Sequence, residues 1–122
     1  THALIDPSLL AGNRNAVTRA YATVSGGRDN LARGENAIVA GGNSNTASSR
    51  YTTVAGGGYN RAIVIGASVA GGYTNSSAAN YANVSGGFGN TATGNYATVG
   101  GGRERSASGD YDWRAGTLFE NQ

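Results

Sequence analysis

Cysteine, lysine and methionine are missing from this chain, proline occurs once, and His2 is its single histidine. Without thiols there is no disulfide framework and no thiolate metal site. One histidine in a terminal stretch supplies neither a Ser-His-Asp arrangement nor a histidine metal cluster. The glycine-rich "GGGYNRA" lacks the Gly-Lys-Ser/Thr of a phosphate loop. The chain therefore reads as non-enzymatic, with no cofactor. No apolar run approaches membrane-spanning length, so this segment is not expected to insert into a membrane. Its opening "THALIDPSLL" has none of the regions of a signal peptide, and any export signal or anchor is expected elsewhere. The nine basic residues are all arginine, and they are scattered. With a net charge of +2 and no basic run, no nucleic-acid partner is expected.

What is present is repetition. Seven rows of fifteen run from Ser8 to Asp112 without an insertion, among them TVSGGRDNLARGENA, IVAGGNSNTASSRYT and NVSGGFGNTATGNYA. Fixed-period self-similarity marks a repeat architecture. Glycine accounts for 21 of 122 residues, with no Gly-X-Y triplet, which excludes collagen. The valines keep register with the glycines, which a disordered linker has no reason to do.

The columns carry the fold. Position 2 of the row holds Leu9 and then Val24, Val39, Val54, Val69, Val84 and Val99. Positions 15, 2 and 4, and again 8, 10 and 12, hold small residues two apart, the spacing of one strand face. Each row thus reads as two short strands and two turns, one coil of an all-β parallel β-roll solenoid of about seven coils. At about 4.8 Å per coil the rod is roughly 34 Å long. The Gly pairs from Gly26-Gly27 to Gly101-Gly102 are expected at tight reversals that need positive φ. Position 8 holds Asn15, Asn30, Asn45, Asn60, Asn75 and Asn90, and a stacked ladder bonding turn backbone is expected there. The alternative for these amides is a sugar or ice ligand. An interior of one valine and a few alanines per coil is thin, which favours packing between copies.

Residues 1–7 and 113–122 read as caps or junctions flanking the roll at 8–112, with Leu4, Ile5, Leu9 and Leu10 at one end and Trp113, Leu118 and Phe119 at the other. Larger apolar groups at solenoid ends cover edges that would otherwise recruit strands. Two further features bear on partners. Position 14 holds Tyr21, Tyr51, Tyr81, Tyr96 and Tyr111, either a contact surface or tyrosines packed over turns and between protomers. Ile63, Val64 and Ile65 replace small or polar residues, so at least one isoleucine should face outward, as protomer packing or contact patch. Asp110, Asp112 and Glu104 offer oxygen ligands for Ca²⁺; the alternative is a solvated last coil pairing with Arg103, Arg105 or Arg114.

"NTASSRYTTVAGG", "NTATGNYATVGGG" and "AIVIGASVAGG" resemble the head repeats of trimeric autotransporter adhesins, and similar repeats occur in phage tail fibres and related surface fibres. The resemblance covers Ser8 to Asp112. It implies a left-handed parallel β-roll, three copies about one axis, an extracellular, cell-surface or virion location, and attachment to a host protein, glycan or matrix with no catalytic residues. The stalk and anchor of a complete adhesin are not in this sequence, which leaves adhesin and phage fibre both open. The coils also resemble grass ice-binding proteins built from two "N-x-V-x-G" halves, but here Ala replaces Asn in one half and Val in the other. Outward Ile38, Asn83 and an Ala-rich third position interrupt the Thr/Ser grid an ice face needs. A subunit of a head-to-tail filament is the remaining alternative.

Overall fold

The computed structural model describes residues 9–115. Alternating small and β-branched residues form fifteen short strands in two parallel sheets and no helix among the described residues. The first sheet holds eight strands, from Leu9–Leu10 through Thr23–Val24 and its repeats to Trp113–Ala115. The second holds seven, from Ala16–Val17 to Ser106–Ala107. Isolated bridges join Asn13, Arg28, Asn43, Gly58, Tyr73, Phe88 and Arg103 into a third ladder along position 6. Successive coils pair fifteen residues apart, as in Val39 with Val54 and Ala47 with Ala62. The chain is a parallel solenoid of about seven coils.

The ends depart from the expected register. Leu10, not Leu9, pairs with Val24, because Leu10 is separated from Asn15 by one residue fewer than Val24 is from Asn30. Leu10 is the partly buried side chain that packs on the core there. At the other end the ladder runs past Asp112: Thr98 pairs with Trp113 and Val99 with Arg114, with an irregularity before Gly101 and Ala115. Trp113 points outward, 60% exposed, and does not cover the end of the core. Leu4, Ile5, Leu118, Phe119 and His2 lie outside the described residues.

Val24, Val39, Val54, Val69, Val84 and Val99 form one fully buried column. Facing them are Val17, Ala32, Ala47, Ala62, Ala92 and Ala107, also at zero exposure. The interior is closed within a single chain, so packing between copies is not needed to cover it and would involve only the outward columns. Two polar residues replace alanine inside. Thr52 hydrogen-bonds its hydroxyl to the Ser49 carbonyl at 2.6 Å. Ser77 Oγ has no hydrogen-bond partner among the described residues. An unsatisfied buried hydroxyl costs about 1–3 kcal/mol. Ser77→Ala, which restores the residue of the neighbouring coils, is expected to raise stability by about 1 kcal/mol in a urea melt; a lowered midpoint would show that the hydroxyl is satisfied in solution.

Each coil passes through left-handed backbone at three places, and of the Gly pairs from Gly26-Gly27 to Gly86-Gly87 only the second residue is one of them, with φ 83–92° from Gly27 to Gly87. Position 7 (Arg14, Asp29, Ser44, Tyr59, Thr74, Gly89, Glu104) and position 14 (Tyr21, Asn36, Tyr51, Gly66, Tyr81, Tyr96, Tyr111) all have φ between 53° and 71°. The N–H of each such residue, wherever a coil precedes it, donates to the carbonyl of the residue before its counterpart one coil back, as Ser44 does to Arg28 and Tyr51 to Glu35. Inter-coil hydrogen bonds thus hold a conformation that side chains other than Gly, Asn and Asp resist.

Candidate contact surfaces

The Asn column is scaffold in its geometry. Asn15 to Asn90 are 0–1% exposed. Asn60 Nδ2 donates to Gly56 O at 2.9 Å in its own coil and to Gly72 O at 3.0 Å in the next. Its Oδ1 accepts the Asn75 N–H at 2.9 Å, and its own N–H donates to Asn45 Oδ1. Every polar atom of the amide is used, and the amides lie out of reach of a ligand. Arg105 takes the next place and donates its backbone N–H to Asn90 Oδ1.

The tyrosine column lies on the opposite edge of the coil. Each tyrosine is the third residue of a turn closed by a hydrogen bond from position 15 to position 12, such as Thr52 N–H to Ser49 O. Positive φ at that place suits Gly or Asn, and Asn36 and Gly66 fill two of the seven. Tyr21, Tyr51, Tyr81, Tyr96 and Tyr111 are nonetheless 51–76% exposed. Tyr81, Tyr96 and Tyr111 stack face to face with centroids 5.6 and 5.3 Å apart, and the Tyr81 ring covers Gly66. No ring stacks on Tyr21 or Tyr51 among the described residues.

A second aromatic edge was not singled out in the sequence. Tyr59, Tyr73 and Phe88 form a run with centroids 5.4 and 5.8 Å apart, and Arg103 lies over the Phe88 ring at 5.4 Å. Reading down position 6, which ends in Tyr73, Phe88 and Arg103, would have found most of it. Of the irregular segment, Ile65 is 43% exposed while Ile63 and Val64 are half-buried.

No protein-family model and no curated protein sequence matches the chain. Its surface chemistry is therefore read from its own side chains. The outward columns of the first sheet, from Thr23, Ile38 and Thr53 to Ser25, Ala40 and Ala55, carry no charged residue between Thr23 and Gly100. The second sheet presents Arg33 and Arg61. Arg14 bonds Asp29 at 2.8 Å from one coil below, with Arg28 3.3 Å away. That hydrogen bond, with the charge of both arginines, holds the Asp29 carboxyl below its ordinary value. In the last coils Asp110 accepts the Asn95 N–H and Asp112 the Gly109 N–H. No three His, Asp or Glu side chains gather among the described residues.

Proposed function

We propose that this chain is a non-catalytic segment of an extracellular cell-surface or virion fibre, a rigid left-handed β-roll that displays an attachment edge and assembles as a homotrimer. The observation that carries the reading is the tyrosine column. Five bulky, solvent-facing tyrosines recur at position 14, whereas position 7, held by the same inter-coil hydrogen bond at the same left-handed φ, takes Arg, Asp, Ser, Tyr, Thr, Gly and Glu. The turn backbone therefore does not ask for tyrosine, and its recurrence on an exposed edge points to a use of the rings themselves. Copies would pack through the uncharged outward face of the first sheet, since burying Arg33 and Arg61 on the second would require partners for them. The attached partner would be a host-surface protein or glycan.

Tyr21 and Tyr51 supply the test, because neither is part of a ring stack. Replacing both by Gly relieves the backbone and should leave the thermal midpoint unchanged or higher. Solution mass by light scattering and retention on immobilised matrix proteins and glycans are the readouts. Loss of about tenfold in attachment or association per tyrosine is expected for aromatic anchors. Unchanged mass and retention would remove the tyrosine column from the attachment surface. Ice binding needs a flat regular grid, and Ile38, Asn83, Arg33 and Arg61 break both outward faces; clear thermal hysteresis would overturn the fibre reading. Open-ended assemblies would favour a head-to-tail filament.

A further inference from the structure

Charge is not evenly spread along the rod. From Leu9 to Ile65 six arginines stand against Asp29 and Glu35, whereas from Gly66 to Ala115 three arginines stand against Glu104, Asp110 and Asp112. Arg14 and Arg28 are taken up by Asp29, and Arg50 approaches Glu35 at 3.7 Å. Arg19 and Arg33 have no carboxylate within ion-pair distance among the described residues. These two line one groove of about 500 Å³ with Thr18 and Ser48, and it continues into a second of about 460 Å³ that reaches Arg50. Both volumes fall within the roughly 300–1,000 Å³ of small-ligand sites.

We infer that the groove between Arg19 and Arg33 binds an anionic saccharide, with sulfate or carboxylate groups on the guanidinium forks and sugar hydroxyls on Thr18 and Ser48. The inference deepens the attachment reading and rests on it. Guanidinium matches both oxyanions bidentately, and the hydroxyl side chains donate and accept, as sugar hydroxyls require. Single-stranded nucleic acid would want rings to stack its bases, and among the described residues no aromatic side chain lines either groove. The second groove is lined by Glu35 as well as Arg50, which lies 3.7 Å from that carboxylate, so the anionic groups are assigned to the first groove.

The test uses the full chain with three probes of equal length: a heparin-type sulfated hexasaccharide, a hyaluronate hexasaccharide bearing carboxylates alone, and a single-stranded DNA hexamer. Wild type should bind at least one saccharide more tightly than the DNA, and the two saccharides distinguish sulfate from carboxylate recognition. Arg19→Gln and Arg33→Gln should each weaken that binding about tenfold or more, the loss of a charge-assisted hydrogen-bonding partner. Arg114→Gln removes the same charge from an exposed place at the other end of the rod and should leave binding unchanged. Equal losses in all three variants, DNA bound as tightly as either saccharide, or no saccharide binding by wild type would each overturn the inference. If these arginine variants bind saccharide normally while the Tyr21/Tyr51 variant loses attachment, the groove assignment falls and the fibre reading stands. Saccharide binding that depends on Arg19 and Arg33 in a chain whose tyrosine variant attaches normally gives the reverse.

Discussion

Asn60→Asp is expected to cost the roll about 3–5 kcal/mol at neutral pH, the penalty of an uncompensated buried charge. The substitution keeps one oxygen to accept the Asn75 N–H but turns the other toward the carbonyls of Gly56 and Gly72, which the wild-type amide satisfies as donor. Burial and those facing oxygens both disfavour the carboxylate, so the folded-state pKa of the introduced acid lies above its unfolded value of about 3.9. The protonated form is the one the fold tolerates, because it returns one donor. Stability is therefore best retained below the unfolded pKa and is lost as pH rises through the folded one. Urea melts near pH 3 and pH 7 (about one unit below and three above that reference) should show the variant's deficit shrinking in acid to about 1–2 kcal/mol. An equal deficit at both pH values would mean that the two carbonyls do not face this side chain.

The same ladder marks how far the sequence was legible. Val24 to Val99 and Asn15 to Asn90 recur because each fills a place whose neighbours above and below are identical, so the packing requirement repeats in the sequence. Position 7 carries an equally strict backbone requirement but holds Arg, Asp, Ser, Tyr, Thr, Gly and Glu. Its left-handed φ is held by a hydrogen bond between coils, which any non-proline residue can make, and no residue preference betrays it. The shortened first coil escaped notice because Leu9 and Leu10 are chemically alike, and only the pairing distinguishes them. The arginine groove was hidden for a third reason. Arg19 and Arg33 stand in different columns of different rows, and meet because stacking sets position 12 of one coil beside position 11 of the next.

The two residues of each Gly pair should respond very differently to the same methyl group. Gly42 has φ +90°, and a Cβ there would overlap the Gly57 carbonyl oxygen and come within 2.6 Å of Asn45 Nδ2. That oxygen accepts from both the Asn43 N–H and Asn45 Nδ2, so it cannot retreat without opening the ladder. Strain and overpacking together should cost Gly42→Ala about 2–6 kcal/mol. Gly41 has no positive φ, and a Cβ there meets nothing within 4 Å among the described residues. Gly41→Ala should be neutral or gain up to about 1 kcal/mol by restricting the unfolded chain. The described residues therefore give no steric reason for glycine at Gly26, Gly41, Gly56, Gly71 and Gly86. Close approach of a second copy beside the uncharged face of Ala40, Ala55 and Ala70 would give one. Replacing Gly41, Gly56 and Gly71 together by Ala separates the two demands. Circular dichroism should show the β-roll retained, while light scattering shows the solution mass falling toward that of one chain. Any stability the assembly adds by mass action would fall with it, in a concentration-dependent way. A triple variant that keeps its wild-type mass would place the contact between copies on another face.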